Sequence, residues 1–499
     1  MSHATPVSRE ELTKLGLGRM KTIPYRYQLD GPARLKKFNY RGILADTMGL
    51  GKSVQALICR ALIKTTGPMV VVCPASVKGV WQRECEKHLG WRAIILEGRT
   101  PPKDVAFLKG ERIFLANYDI LGLKNPDPKA KKPQSWNDFL SKLYPALVVF
   151  DEGHYLINLE AKRTKAAIQL VEDVPHTLIL TGTPVTSKPK NLFALCKIVR
   201  PEVFPSFWKF VQRYCAPKLT PFGWDYSGAS NLRELNQILT SKLMVRRTTE
   251  EVHTQMPKLN RVQVPVTLGK EAWKEYQAAE TEFIQWLRRT AGAGKANRAR
   301  NAERLVKAGY LKRLAAQLKI PAAKAWIDEY LEGGGKLLVF GIGRETVVDA
   351  VHRLYADKAV KVTGLVKNRL RDAAFEAFNK NPDVKLLFGN MMAAGTGWSC
   401  TATSISLMLE MDWNPGTMAQ AEKRTHGVGR GIEGLPSFAY YLIAKGTIDE
   451  RLMDIWASKQ NVIDQVIDGK DEVENAGAVL DMLEASYTTA KPVPLEDFD

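Results

Sequence analysis

The sequence has no long apolar run, no close pair of cysteines and no short repeat. Its longest apolar runs, such as Met69 to Cys73, are too short to span a bilayer, and the polar N terminus has no signal-peptide core. None of the six cysteines belongs to a C-x-x-C pair, which favours buried free thiols over zinc sites or disulfides. We therefore expect an intracellular protein without membrane contact, cytoplasmic if its source is prokaryotic or viral and nuclear if it is eukaryotic.

Acidic residues are few beside the basic ones. The 499 residues include 72 lysines and arginines but only 53 aspartates and glutamates, which leaves a net charge of +19. Such a field favours a polyanion, so we expect nucleic acid as the partner. The length and a hydrophobic content of 45% are enough for two or more domains with sizeable cores.

The basic excess is concentrated between Arg288 and Lys319. This stretch contains ten basic residues, among them Arg298 and Arg300, and a single acidic residue, Glu303. The composition predicts a helical basic arm that contacts phosphates. A solvated helical face is the alternative, because it needs the same residues.

Strand-like apolar runs alternate with helical patterns in two parts of the chain. The first part runs from Arg41 to Val199, and the second follows the triple glycine Gly333 to Gly335. This alternation predicts an α/β fold with two tandem parallel-sheet lobes and a helical basic insertion between them. The predicted segments are an N-terminal extension (1–24), the first lobe (25–240), a linker with the helical basic insertion (241–331), the second lobe (332–470) and an acidic tail (471–499).

The stretch DTMGLGKS follows an apolar run and precedes a helical pattern. Glycines at such a strand-to-helix turn free backbone N–H groups that can point at phosphate oxygens. Lys52 can reach the β- and γ-phosphates of a nucleotide, and Ser53 can ligate Mg²⁺. Asp46 stands where the strict phosphate-loop pattern has its first glycine, so an ordinary glycine-rich turn is the alternative. The expected phosphate-binding residues are Asp46, Thr47, Met48, Gly49, Leu50, Gly51, Lys52 and Ser53.

Two carboxylates follow the apolar run Ala146 to Phe150. That run predicts a buried parallel strand, and doubly wound sheets bind ligands at the carboxyl ends of their strands. We expect Asp151 to hold Mg²⁺ through water and Glu152 to orient and deprotonate the water that attacks the γ-phosphate. An Asp-Glu pair at a strand end can also be solvated surface, but the upstream phosphate loop favours the functional interpretation.

Further strings, in order along the chain, make the sequence resemble one family. They are YRYQ (Tyr25 to Gln28), DEGHYLIN (Asp151 to Asn158), LTGTP (Leu180 to Pro184), MVRRTTEEV (Met244 to Val252), DWNP (Asp412 to Pro415), QAEKRTHGVGR (Gln420 to Arg430) and LIAKGTIDERL (Leu442 to Leu452). Together with the phosphate loop, these strings resemble the motifs of the SWI/SNF-like group of superfamily 2 helicase-type ATPases, the duplex-DNA translocases and remodellers. Within that group, Arg213 to Leu239 is similar to the HepA-related annealing-helicase branch, whose members rewind DNA and remodel forks.

The resemblance implies two RecA-like lobes, ATP and Mg²⁺ as cofactors, and a set of site residues. Besides Lys52, Asp151 and Glu152, it implies that Arg424 and Arg430 of the second lobe supply charge to the transition state. The other implied nucleotide contacts are Gln28, His154, Gly395, Gly397 and Gln420. The implied contacts to the DNA backbone are Asn117, Tyr118, Thr183, Gly364, Gly395 and Thr396.

The chain departs from the family pattern at three positions. Gly427 stands where a second arginine is usual, and Arg430 stands where the last motif ends in a glutamine. Trp398 is bulkier than the usual residue of its motif. The bulk of Trp398 predicts that the coupling between DNA and ATP differs in this chain.

The motifs together predict an ATP-dependent translocase on double-stranded DNA, stimulated by duplex or forked DNA without sequence preference and suited to fork remodelling or strand annealing. A strand-separating DNA or RNA helicase is one alternative, although no wedge is evident in the sequence. An ATP-gated DNA-binding clamp with feeble hydrolysis is a second alternative, supported by Gly427 alone. The sequence indicates no particular protein partner.

Overall fold

The computed structural model describes the chain as two compact units. The described residues are 6–98, 100–102, 112–122, 135–182, 189–220, 223–226, 228–252, 259–290, 298–342, 347–363, 368–391, 398, 400–412, 415–426, 431–432 and 435–454. Those of 1–216 and 229–256 form the first lobe, and those of 217–228 and 257–454 belong to the second lobe.

The first lobe is built on a sheet of short apolar strands. These strands are β1 (Arg41–Leu44), β2 (Met69–Cys73), β3 (Ala93–Ile95), β4 (Ile113–Asn117), β5 (Leu147–Asp151), β6 (His176–Leu180) and β9 (Met244–Val245). Between β6 and β9 along the chain, β7 (Lys218–Thr220) and β8 (Gly223–Asp225) form a separate antiparallel hairpin, which belongs to the second lobe. Within the described residues the strands of the first sheet have the order β3-β4-β2-β5-β6-β1-β9, and all neighbours are parallel. Every residue of β2 and β4 is buried, as is typical of parallel strands covered on both faces.

Helices connect these strands and pack against them. They are α1 (Arg9–Lys14), α2 (Arg26–Lys37), α3 (Lys52–Leu62), α4 (Lys78–Leu89), α5 (Trp136–Ser141), α6 (Lys162–Leu170), α7 (Lys190–Val199), α8 (Phe207–Tyr214), α9 (Leu232–Lys242) and α10 (Thr249–Val252). Leu57 of α3 and Trp81 of α4 share one apolar cluster with strand residues such as Val71 and Val149. The burial of this cluster holds α3 and α4 on the sheet.

Three neighbouring strands bring the nucleotide motifs to one edge of the first sheet. Leu180 at the end of β6 lies level with Asp151 at the end of β5 and with Leu44 at the end of β1. The glycine-rich stretch follows β1, and Glu152 follows β5. Because open α/β sheets bind ligands at the carboxyl ends of their strands, this order places both motifs where a ligand is expected.

The second lobe repeats the same architecture. Its strands are β10 (Leu259–Val266), β11 (Leu337–Gly341), β12 (Ala359–Val362), β13 (Leu386–Asn390), β14 (Ile405–Met408) and β15 (Ser437–Ala444), and its helices are α11 (Lys270–Thr290), α12 (Arg298–Leu318), α13 (Ile320–Glu332), α14 (Val347–Arg353), α15 (Asn368–Lys380) and α16 (Pro415–Glu422). The described strands of this sheet are all parallel, in the order β10-β15-β14-β11-β13-β12, and β7 and β8 form a separate antiparallel pair. The predicted fold class of two parallel-sheet lobes is therefore confirmed.

Both sheets extend beyond the limits that the sequence predicts for the lobes. β9 pairs with β1 although we expected the first lobe to end at residue 240, and β10 pairs with β15 although we expected the second lobe to begin at residue 332. A strand of two residues has too little pattern to be recognised, and β10 contains Pro265, which is uncommon inside strands.

The described parts of the basic stretch are mainly helical, as predicted, but their basic residues do not form one exposed face. Lys312 and Lys319 are buried. Nζ of Lys312 donates to the carbonyl oxygen of Met411 (2.9 Å), and Nζ of Lys319 donates to the carboxylate of Asp449 (2.6 Å). At these two positions the helices stabilise the second lobe and offer no charge to a nucleic acid.

Two expectations from composition can be compared with the structure. All six cysteines are buried and free, as predicted. In the described ranges, no helix combines the length and the apolar character that crossing a membrane requires.

Candidate nucleotide site

The glycine-rich stretch forms the turn between β1 and α3. Gly49 has a φ of 93° and Gly51 a φ of 69°, a region that favours glycine, and Gly51 caps the N terminus of α3. The first N–H groups of a helix have no partner within the helix, and they favour a phosphate bound at that end. The local geometry of the turn thus fits the predicted phosphate loop.

Gly51 is also closely approached by Gln28 of α2. A Cβ atom at Gly51 would lie 2.4 Å from Nε2 of Gln28, so no other residue fits at this position without moving that amide. Oε1 of Gln28 accepts the backbone N–H of Tyr25 at 3.0 Å. Gln28 is therefore held against the phosphate loop, and its predicted contact with the nucleotide stays a prediction.

The side chains of the loop itself point into the protein. The carboxylate of Asp46 is buried and accepts hydrogen bonds from Arg247 and Gln55. The hydroxyl of Thr47 donates to the carbonyl oxygen of Arg247 at 3.2 Å, and Met48 and Leu50 are buried. The buried side chains of these residues hold the loop in place. The backbone N–H groups of the loop are then the groups that can bind a phosphate.

Lys52 begins α3, with Ser53 next to it. Its Nζ donates to the carbonyl oxygen of Asp46 at 2.9 Å, so the ammonium group is folded over the loop. Burial lowers the pKa of Lys52, while the negative charges of Glu152, Asp46 and Asp151 oppose that shift. The charges of these carboxylates favour the protonated form of the ammonium group.

Asp151 ends β5 with both carboxylate oxygens engaged. Its Oδ2 accepts the indole N–H of Trp81 at 2.8 Å, and its Oδ1 accepts the backbone N–H of Glu152 at 3.0 Å. Burial, assisted by the charge of Glu152, raises the pKa of Asp151 to about 6, against the effects of Trp81 and Lys52. A carboxylate with a raised pKa beside a lysine is typical of a functional site.

Glu152 has a backbone conformation that is rare for a residue with a side chain. Its φ is 55° and its ψ is 56°, and Nδ1 of His154 lies 3.3 Å from its Oε2. Left-handed conformations of this kind cost free energy and are concentrated at functional sites. Glu152 thus occupies a strained turn at the end of β5, with the ring of His154 close to its carboxylate.

Tyr118 and Asn117, predicted to contact DNA, lie at the end of β4. The hydroxyl of Tyr118 donates to the main-chain oxygen of Asp151 at 2.6 Å, and its buried ring stacks on Tyr155 with the centroids 5.0 Å apart. Nδ2 of Asn117 donates to Asp119 at 3.2 Å. A contact between the Tyr118 side chain and DNA requires this packing to open, so both DNA contacts stay predictions.

The donor set of the first lobe fits a magnesium ion that also binds a substrate phosphate. Mg²⁺ is usually held by one or two carboxylates together with phosphates and waters. Asp151 provides a carboxylate beside the phosphate loop, whereas the described residues include no group of three or more His, Cys, Asp or Glu that could hold a metal. Ser53 and Asp151 stay the predicted ligands of such an ion.

Arg424, the predicted catalytic arginine of the second lobe, is buried just after α16. Its Nε donates to the carbonyl oxygen of Gln420 at 3.3 Å, and its Nη1 donates to that of Trp398. The ring of Trp398 stacks on Phe375, with the centroids 4.2 Å apart. This stacking helps to hold Trp398, whose carbonyl oxygen accepts the hydrogen bond from Arg424.

Other predicted positions cannot be located in the same detail. Arg298 and Arg300 are in α12, but their side chains lie outside the described residues. The remaining positions outside the described residues are Thr183, Gly364, Gly395, Thr396, Gly397 and Arg430.

Sequence reasoning missed three side chains that the structure brings to the functional motifs. Trp81 donates to Asp151, which lies 70 positions away in the sequence, and Arg247 donates to Asp46, which lies 201 positions away. Arg261 of β10 donates to both carboxylate oxygens of the buried Glu422, at 2.6 and 2.8 Å. Arg247 was part of a recognised string, but no local pattern in the sequence indicates the partner of any of the three.

The chain matches two family models. The SNF2-related domain matches residues 32–317, and the helicase conserved C-terminal domain matches residues 322–429. These two ranges contain the phosphate loop, Asp151, Glu152 and Arg424.

Among the relatives, a human protein named DNA annealing helicase and endonuclease ZRANB3 is 31% identical over 470 residues, which cover 91% of this chain and 41% of that protein. A Xenopus tropicalis protein, SWI/SNF-related matrix-associated actin-dependent regulator of chromatin subfamily A-like protein 1, is 29% identical over 479 residues, which cover 92% of this chain and 47% of that protein. The chain thus spans less than half the length of these relatives. A solved structure, the Sulfolobus solfataricus SWI2/SNF2 ATPase core in complex with dsDNA, aligns with a TM-score of 0.40 and 21% identity over 91% of this chain and 94% of that chain.

Proposed function

The chain belongs to the SNF2-related family, and from that premise we propose that it is a DNA-dependent ATPase that moves along double-stranded DNA. The observation that carries the proposal is the arrangement of Lys52, Asp151 and Glu152. They lie at the carboxyl ends of β1 and β5, two strands separated only by β6. Phosphoryl transfer to water needs a cation for the phosphates, a carboxylate for the metal and a base for the water, and these residues supply all three.

Each residue has a definite task in this proposal. Lys52 exchanges its bond to the carbonyl oxygen of Asp46 for the phosphate oxygens of ATP, and the main chain of the loop donates to the same phosphates. Glu152 orients the attacking water and accepts its proton. Mg²⁺ bound by Ser53 and Asp151 would neutralise charge on the β- and γ-phosphates.

We extend the proposal to the arginines of the second lobe. Arg424 and Arg430 would stabilise the negative charge that develops on the transferred phosphoryl group. For Arg424 this requires its hydrogen bonds to the carbonyl oxygens of Gln420 and Trp398 to be exchanged for phosphate contacts. Apart from β9 and β10, which pair with the two sheets across the predicted limits, the domain limits predicted from the sequence likewise stay a proposal.

We propose duplex or forked DNA as the polymer, bound through its phosphates without sequence preference. The net charge of +19 supports a polyanion. The human relative is named as a DNA annealing helicase, which supports fork remodelling or strand annealing as the cellular task. Because the chain spans less than half of that protein, the task has to be tested on this chain itself.

The proposal is tested by steady-state ATP hydrolysis without nucleic acid and then with duplex DNA, forked DNA, single-stranded DNA and duplex RNA at one salt concentration. Strong stimulation by duplex or forked DNA is the expected result. Stimulation by single strands or RNA alone would favour a strand-separating helicase. No turnover under any condition would favour a clamp that binds DNA without hydrolysis.

A further inference from the structure

The indole of Trp81 reaches the carboxylate of Asp151 from a different part of the first lobe. Trp81 lies in α4, which follows β2, and β2 is the neighbour of β5 in the sheet. Its ring is 1% exposed and packs in the apolar cluster beneath the helix, while its Nε1–H donates to Oδ2 of Asp151 at 2.8 Å. A hydrophobic side chain therefore presents its single donor to the carboxylate of the nucleotide site.

Two donors on different oxygens fix the plane of this carboxylate. The backbone N–H of Glu152 binds Oδ1, and the indole N–H of Trp81 binds Oδ2. An ionised carboxylate offers about four lone-pair directions, so the oxygens keep acceptor positions that a water or a cation can use. Without Trp81, only one of the two oxygens would keep its donor, and the carboxylate could turn about its Cβ–Cγ bond.

Burial of a tryptophan in this lobe does not itself require such a bond. Trp136 of α5 is also 1% exposed, yet its Nε1 has no hydrogen-bond partner among the described residues. The contact between Trp81 and Asp151 is therefore not explained by the need to fill space with an indole. A phenylalanine would fill much of the same space without the N–H group.

We infer that Trp81 is a positioning residue of the nucleotide site, which holds the Asp151 carboxylate in the orientation that receives a magnesium-bound water. This inference rests on the proposed function, since it assigns the ion to Asp151. Groups that orient metal ligands in this way typically change metal affinity about 10- to 100-fold when they are removed.

The test compares Trp81→Phe with Trp136→Phe, because each variant loses one indole N–H from a buried site of the first lobe. ADP binding is measured by calorimetry over a series of Mg²⁺ concentrations and again in EDTA. For Trp81→Phe we expect about a 10- to 100-fold loss of apparent Mg²⁺ affinity, with ADP affinity in EDTA unchanged. Trp136→Phe should match the wild type in both measurements.

Equal Mg²⁺ affinity in the two variants, or an equal loss of ADP affinity with and without Mg²⁺, would overturn the inference. If Trp81→Phe does not fold, benzothienylalanine is placed at position 81, because it keeps the ring shape and replaces the N–H group by sulfur. The same loss of apparent Mg²⁺ affinity is expected for that variant. Measurements on the wild type distinguish a failure of the proposed function from a failure of the role of Trp81. If the wild type binds no Mg²⁺–ADP, the proposed function fails; if it binds normally and the variants do not differ, only the role of Trp81 fails.

Discussion

The guanidinium of Arg247 donates to both carboxylate oxygens of Asp46 and so joins the segment after β9 to the first residue of the phosphate loop. Both side chains are buried. Gln55 of α3 binds both partners, because its Nε2 donates to Asp46 at 2.9 Å and its Oε1 accepts from Arg247 at 2.7 Å. Arg247 also donates to the carbonyl oxygen of Tyr27, next to Gln28. One buried network thus connects the phosphate loop with α2, α3 and β9.

Arg247→Ala should destabilise the first lobe by about 3–5 kcal/mol, because it leaves the Asp46 carboxylate buried without its cation. Urea unfolding followed by tryptophan fluorescence measures this cost. The control is Arg213→Ala, which breaks an exposed ion pair with Glu234 and should cost much less than Arg247→Ala, because solvent screens such pairs. Similar losses in the two variants would show that the buried network is not a major source of stability.

Lys52→Ala and Glu152→Gln should each abolish DNA-stimulated ATP hydrolysis while DNA binding survives. Removal of a general base typically lowers the rate about 10²- to 10⁴-fold, and the ammonium group of Lys52 is folded over the loop. Hydrolysis and DNA affinity are measured on the same preparations. Lys165→Ala, which removes an exposed lysine of α6 paired with Glu160, should leave both unchanged. Turnover near the wild-type rate in Lys52→Ala or Glu152→Gln contradicts the assignment.

Asp151 should stabilise the nucleotide-free protein at acidic pH, and this contribution should be lost as the pH rises from about 4 to about 6. The pKa of Asp151 is raised to about 6 in the folded protein, whereas an unfolded aspartate titrates near 4. Between these pH values the folded state keeps a proton that the unfolded state has lost, so the stabilisation present below about pH 4 is lost by about pH 6.

Asp151→Asn should remove this part of the pH dependence. From pH 4 to pH 7 in EDTA, its free energy of unfolding should gain up to about 3 kcal/mol relative to the wild type. The amide also places a second donor near Trp81 or the Glu152 N–H, which adds a cost that does not depend on pH. A constant difference between variant and wild type across this range would refute the raised pKa.

Gly51→Ala should weaken nucleotide binding more than it weakens the fold. A Cβ at residue 51 would lie 2.4 Å from the amide of Gln28, in addition to the strain of a positive φ. Gly16→Ala has the same strain, with a φ of 77°, but no atom within 4 Å of the new Cβ. Both variants should lose about 1–2 kcal/mol of stability, while only Gly51→Ala should lose about tenfold or more in ADP affinity. Unchanged ADP affinity in Gly51→Ala would argue against a phosphate loop here.

Replacing Arg298 and Arg300 of α12 by alanine should reduce the salt dependence of DNA binding. Each lost phosphate contact lowers the slope of log affinity against log salt by about 1. The matched control, Lys14→Ala with Lys165→Ala, removes the same net charge from the first lobe. If both double variants change the slope equally, the effect comes from net charge and α12 has no specific role.

Most strands of the two parallel sheets were predictable because they are short, nearly continuous apolar runs. Such runs occupy the buried centre of a parallel sheet and are visible within four or five residues, as at Met69–Cys73 and Leu386–Asn390. β9 escaped prediction since two residues form no pattern. Lys312 and Lys319 were counted in the basic stretch that was predicted to contact phosphates, because composition does not reveal which side chains are buried.

The sequence by itself determined the parallel α/β lobes, the phosphate loop and the Asp151–Glu152 pair. These features depend on neighbouring residues: the glycines set the turn before α3, and the apolar runs set the strands that end at the site. Only the tertiary structure decided which side chains hold that site in place. Trp81 meets Asp151, and Arg247 meets Asp46, because the order of strands in the sheet brings distant segments together. The packing of the whole lobe selects the order of the strands, and no local pattern in the sequence predicts that order.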